Sequence, residues 1–201
     1  MPRTLSAEQV EKFRARLCEV AQHRFATQGR DAVSMRQLAD ALGCSPMTPY
    51  RYFHNKDEIL AAVRAAAFDR FAAALEGAVA GAGQDPSAAG QAVGQAYGRF
   101  ALQDPDGYRL MFDVSQPHPD RYPELMRASS RARATMTASI EALVAAGMFH
   151  GAPELLGLAF WSAMHGLVML HLAGKLPAEP DFETIRRELM RLLVTGATAA
   201  A

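Results

Sequence analysis

Along this chain apolar residues recur at intervals of three and four over long runs, and almost nowhere do they alternate with period two. That spacing keeps one face of an α-helix apolar, so the pattern predicts an all-α protein of about nine helices. Val10, Phe13, Leu17, Val20, Ala21 and Phe25 make the first stripe, with Lys12, Arg16, Glu19 and His23 mostly off it. Ser6-Ala7-Glu8-Gln9 supplies a capping box ahead of the stripe, and Gly29 closes it with a residue suited to the left-handed conformation.

Further signals divide the rest. Ser34 caps a short helix, MRQLADAL, that stops at Gly43; Ser45 caps a second short helix with Pro46 at the favoured first position. Asn55, with Glu58 three residues on, opens a long helix to about Gly81. GAGQDPS, 81 to 87, is a break, and Asp85-Pro86 restarts a helix ending near Asp104-Pro105. A short helical piece, DGYRLMF, and a loop, SQPHPD with His118 on the surface, lead into a helix over 122–147. A very apolar helix from Pro153 to about Gly174 and a last one from Asp181 to about Thr195 complete the chain. The expected organisation is a three-helix, helix-turn-helix domain over 1–58, joined by the long helix to a helical bundle within 59–201.

Composition narrows the partners. With 201 residues, half of them apolar, the chain can bury a sizeable core. Twenty-one Lys and Arg balance twenty-one Asp and Glu, so a polyanion must be met by a local patch and not by a uniform basic coat. Cys18 and Cys44 show no spacing for a disulfide framework or metal site, and charges interrupt the N-terminus where a signal peptide would be apolar. The expected compartment is the cytoplasm. Residues 155–174 are long enough to cross a bilayer, but Ser162, His165 and His171 would be costly in lipid, and basic flanks are lacking. A helix buried on one side in its own domain and on the other in a partner subunit accounts for them better than a membrane.

The stretch CSPMTPYRYFHNKDEIL, 44 to 60, carries the chemistry. A helix-turn-helix needs a small residue where its helices cross and a positive-φ residue in the turn; Ala39 and Gly43 fit. Leu38, Leu42, Cys44, Tyr50 or Phe53, and Ile59 can supply the apolar contacts. Pro46, Met47, Thr48, Arg51 and Tyr52 are then left outward, on the element that enters a major groove. The second helix starts either after Ser45, with Pro49 as its fourth residue, or at Thr48, with Pro49 at its first position. Thr48, Tyr50 and Tyr52 can donate to phosphates, Met47 and the Thr48 methyl can pack on thymine, and Arg51 can reach phosphate or guanine. Ser34, Arg36 and Lys56, at helix starts, can grip phosphates. Singly, Arg51 or Lys56 is an ordinary surface charge and Tyr50 an ordinary core residue; the combination of caps, spacing and exposed donors favours DNA.

Residues 10–60 resemble the N-terminal domain of the tetracycline-repressor (TetR) family. The motif residues are Ser34, Arg36, Leu38, Ala39, Gly43, Ser45, Thr48, Tyr50, Phe53, Lys56 and Ile59 or Leu60. The sequence departs at Pro49, where the family more often has leucine. The resemblance implies that Arg36, Met47, Thr48, Tyr50, Tyr52 and Lys56 occupy DNA-contact positions. It also implies that the helices after residue 60 form a ligand chamber and that the last two pair two copies through a four-helix contact. Trp161, His165 and Gly166 resemble the C-terminal domain of a TetR subgroup recognised by that Trp-His-Gly set.

Candidates for an apolar effector chamber are Tyr97, Phe100, Tyr108, Met111, Phe112, Met136, Trp161 and Met164, with His165 beside them. Such a stripe reads equally as ordinary core, and a hydrogen-bonded core role is the preferred reading of His165. His165 and His171 face different sides, so no metal is expected, nor any cofactor. The resulting expectation is a dimeric transcriptional regulator, read as a repressor, released from a near-palindromic operator by a small apolar effector. A helical enzyme or ligand-binding protein acting in the chamber is the alternative, but no nucleophile elbow, H-E-x-x-H, phosphate loop or paired carboxylates mark it as an enzyme. A helical adaptor is a third reading.

Overall fold

A computed structural model describes residues 6–113 and 119–199. The described residues form eight α-helices, two single 3₁₀ turns and no strand. The all-α expectation holds, with one helix fewer than expected because the second helix of the helix-turn-helix is not α-helical. His118 lies outside the described residues, while Pro119–Arg121 form a 3₁₀ turn within the segment expected to be loop.

The chain divides into two compact units, residues 1–69 with 106–129, and residues 70–105 with 130–201. In the first, α1 (Ala7–Gln28) opens on the Ser6 capping box: the Gln9 N–H donates to Ser6 Oγ at 3.2 Å, and the Ser6 N–H to Gln9 Oε1 at 3.0 Å. Helix α2 (Met35–Ala41) repeats the device with Ser34 and Gln37. It ends where Gly43 takes φ +66° and the Cys44 N–H returns to the Ala39 carbonyl at 3.0 Å, which satisfies carbonyls left over by the last turn. Helix α3 (Lys56–Gly81) supplies residues to both units. Leu17, Phe25, Val33, Leu38, Phe53, Ile59, Leu60 and Val63 bury against one another as the core of the first unit, with Leu110 from α5 (Pro105–Met111) among them.

The second unit holds the remainder of α3, α4 (Pro86–Gln103), most of α6 (Pro123–Ala145), α7 (Pro153–Leu172) and α8 (Phe182–Thr198). Asp85 caps α4 and Asp181 caps α8, each accepting a backbone N–H. Phe71 packs edge-on against Tyr97, with centroids 5.0 Å apart, and tilts onto Phe100 at 5.1 Å. Arg131 grips Glu76 through two bonds of 2.7 and 2.5 Å, tying α6 to α3 within this unit. Phe149 stacks on Phe160, and the His150 N–H donates to the Ala197 carbonyl at 2.8 Å.

Candidate nucleic-acid interface and ligand cavity

Pro46 and Pro49 decide the shape of the recognition segment. Neither has an N–H, and the Pro49 ring would crowd the Ser45 carbonyl in an α-helix. The backbone therefore turns through i to i+3 bonds: the Thr48 N–H to Ser45 O at 2.8 Å, the Arg51 N–H to Thr48 O at 3.1 Å, and the Tyr52 N–H to Pro49 O at 3.0 Å. The regular part is one 3₁₀ turn, Pro49–Arg51, with Thr48 ahead of it and Pro49 first. Of the two starts the sequence allows, this is the later one. Ser45 Oγ accepts only the Met47 N–H, at 3.4 Å, so it caps a turn and not a helix.

The short turn sorts its side chains sharply. Pro49 is buried and Phe53 is 2% exposed, whereas Met47 is 67% and Tyr50 49% exposed. Phe53, not Tyr50, is thus the core residue. Ser45, Pro46 and Arg51 are exposed with them, Thr48 is half-buried, and Ser34 and Arg36 are exposed at the start of α2.

Two candidates sit differently from expectation. Tyr52 does not project outward with its neighbours: its ring stacks on Phe13, 4.3 Å between centroids, and joins the core of the first unit. A 3₁₀ turn advances by about 120° per residue, so Tyr52 rotates off the face an α-helix would have given it. Lys56 points its ammonium at the α1–α2 loop, donating to the carbonyls of Arg30 at 2.8 Å, Asp31 at 3.2 Å and Val33 at 3.0 Å. An ammonium has three donors, and these carbonyls take all three.

Sequence reasoning missed Arg14. Its Nη1–H donates to the Tyr52 carbonyl at 2.8 Å and its guanidinium lies 4.2 Å above the Phe53 ring. Its one sequence signal is its place beside Phe13 on the edge of the α1 stripe. Arg30 is a second omission: it pairs with Asp57 and Asp31, chiefly its hydrogen bond to Asp57 raising its pKa. The Glu58 carboxyl is pushed up by burial, but the His54 N–H and ring outweigh this and hold it below the usual range. The Glu58 N–H in turn donates to Asn55 at 2.9 Å, the expected cap of α3. Burial pushes the Cys18 thiol up to about 11, which disfavours the nucleophilic thiolate.

The second unit contains a cavity of about 500 Å³ between α4, α6, α7 and α8. Of the nine effector-site candidates, Tyr97, Met136, Trp161 and Met164 line it. Phe100 instead packs on Phe71. Tyr108, Met111 and Phe112 are on α5 or just beyond it and belong to the first unit, where Tyr108 is completely buried and Phe112 packs on Phe68. His165 is not in the wall; its ring is 6.5 Å from Trp161, and burial lowers its pKa, favouring the neutral imidazole. The wall also carries Arg186, Arg187 and Arg191, which a search for apolar residues could not find. Their signal in the sequence is the cluster of three arginines within six positions of α8.

Two family models match the sequence: bacterial regulatory proteins of the tetR family over residues 17–63, and a tetracyclin repressor-like C-terminal domain over residues 90–193. A protein of unknown function from Rhodococcus sp. RHA1 superposes with a TM-score of 0.79 at 23% identity, over 99% of this chain and 100% of its own. A bacterial regulatory protein in the tetR family from Rhodococcus RHA1 gives 0.75 at 21% identity, covering 94% and 99%. The tetR-family regulator PfmR from Thermus thermophilus gives 0.73 at 24%, covering 90% and 97%. At such identities these structures speak for the fold alone. Among curated proteins, none matches the sequence.

Proposed function

The chain belongs to the tetR family of bacterial regulatory proteins and is a DNA-binding transcriptional regulator; from that premise we propose that it is a cytoplasmic, homodimeric repressor. Two recognition turns enter successive major grooves of a near-palindromic operator, about 34 Å apart. DNA recognition is assigned to residues 1–58, and effector binding and pairing to residues 59–201. The observation that carries this reading is the exposed row Ser45, Pro46, Met47, Tyr50 and Arg51 standing over buried Pro49 and Phe53. Ser34, Arg36 and Thr48 complete the contact set. Tyr52 and Lys56 act from behind it, as supports of the turn and of the loop before α2.

Pairing is supported by α7. An eighteen-residue window of this helix has mean hydropathy 1.6 and is only 17% buried; among the described residues it is the one helix long and apolar enough to cross a membrane. Leu155, Leu158, Met169 and Leu170 are exposed on it, Leu192 is exposed on α8, and, its own helix backbone aside, no atom of the described residues lies within 4 Å of where a Gly166 side chain would start. Apolar area continuing over two neighbouring helices suits a second copy, with Gly166 allowing its helix close approach. The effector, a small molecule with a largely apolar body, occupies the cavity in the second unit. It releases DNA by binding one of two forms of the dimer more tightly.

Binding-site selection from random duplex DNA tests the reading, followed by titration of the selected site with Tyr50→Ala and Arg51→Ala. Both variants are expected to lose about tenfold or more in affinity with helicity and dimerisation retained. Enrichment of no sequence, or full affinity in both variants, would refute it.

A further inference from the structure

The cavity wall is divided by chemistry. Its α6 and α7 side is mainly apolar, with Met136, Phe160, Trp161 and Met164 beside Ser139, whereas its charges, the three arginines, all lie on α8, with Gln91 and Gln95 on α4. Among the described residues that line it there is no Asp or Glu.

Arg186 is 7% exposed, so its side chain is held largely out of water in the cavity wall. Its Nε and Nη2 both reach Glu183 Oε2, at 2.9 Å each, so a single oxygen of a half-exposed carboxylate serves both donors. Arg187 is held only by long bonds, 3.3 Å to Thr184 Oγ1 and 3.4 Å to the Glu183 carbonyl. Arg191 pairs with Glu188 on the exposed side of α8. A planar guanidinium fork matches a carboxylate or phosphate with two parallel charge-assisted bonds, stronger than the neutral contacts Arg187 makes here. Arg186 is buried against one carboxylate oxygen, so an anion delivered beside it would offset its charge further.

We infer that the ligand is an amphipathic organic anion whose apolar body lies against Met136, Phe160, Trp161 and Met164 and whose carboxylate or phosphate head is held by Arg186 and Arg187. This rests on the reading of the cavity as the effector site, and adds the head group to it. A volume of about 500 Å³ accommodates a ten-carbon chain with its head.

Decanoate, decyl phosphate and decanol share one tail and differ in the head, so calorimetric titration of the full-length protein with each isolates the anion. At least one anion is expected to bind about tenfold or more tighter than decanol near neutral pH, the tighter of the two identifying the head. Arg187→Gln, at an exposed position, is expected to narrow that gap severalfold by weakening the anion more than decanol, and Arg186→Gln to do the same. Decanol binding as well as both anions would overturn the anion assignment and leave the cavity reading standing. An anion preference undiminished in both variants would also overturn it. Failure of all three compounds to bind would instead remove the cavity reading itself.

Discussion

The ring of Tyr52 lies on the ring of Phe13, centroids 4.3 Å apart and planes 25° apart, and beside it Arg14 bonds the Tyr52 carbonyl at 2.8 Å. A two-proline recognition turn has few backbone bonds of its own, so α1 holds it from outside. Arg14→Met is therefore expected to weaken operator binding by about tenfold, through loss of one charge-assisted hydrogen bond and one cation–π contact. Because Arg14 acts through the turn, binding should fall with the slope of log affinity against log salt unchanged. A shallower slope in a competition titration would make Arg14 a direct phosphate contact.

Lys56 gives the converse case. With three loop carbonyls as acceptors, its removal costs the fold more than it costs DNA contact. Lys56→Gln is expected to lower stability by about 1–2 kcal/mol in urea denaturation. The salt slope should stay as in the native protein, while Arg51→Ala lowers it by about one.

Gly94 lines the cavity on α4, and, its own helix backbone aside, no atom of the described residues lies within 4 Å of where its side chain would begin. Gly94→Leu should raise stability by about 0.5–1 kcal/mol, since glycine is a poor helix former. The added side chain occupies ligand space, so decanol and decanoate should both lose affinity by calorimetry. Retained binding of both would move the ligand elsewhere.

His165 makes stability depend on pH. Burial lowers its folded pKa below the ordinary 6.5. Between those two values the unfolded chain takes up a proton that the folded chain refuses, so the proton favours unfolding. The contribution is full above pH 6.5 and is lost as pH falls through the lowered folded value. Native protein should therefore lose more of its thermal midpoint over this window than His165→Gln does; parallel curves would contradict it.

Leu158 stands exposed on the α7 face assigned to pairing. Leu158→Arg places a charge in that apolar contact, and sedimentation should show monomers with native helicity. Operator affinity should fall with the dimer, because two linked half-sites are lost as a unit. A dimer persisting in this variant would place the contact on another face.

Helix boundaries were largely legible because caps are local chemistry. Ser6, Ser34, Asp85 and Asp181 each accept an N–H two or three residues ahead, and each starts a helix where its side chain says it should. Ala39, completely buried, and Gly43, at positive φ, were equally readable as the crossing and the turn of a helix-turn-helix. On the candidate DNA face the exposure of Pro46, Met47 and Arg51 was readable, whereas Tyr50 and Phe53 stood as alternatives for the core and packing chose Phe53. The chamber was readable only in part. An apolar residue such as Tyr108 is identical in one-dimensional pattern to Tyr97, and only packing sends one to a sealed core and the other to a cavity wall.

By itself, then, the order of residues determined the all-α class, most of the places where helices begin and end, and the family, because periodicity, caps and turn residues act over a few positions. Tertiary structure alone decided that the recognition turn is braced by Phe13 and Arg14, that Lys56 serves a loop 23 to 26 residues away, and that arginines of α8 share a cavity with an apolar wall. Those outcomes depend on which groups meet across long separations, and neither spacing nor composition carries the distance between them.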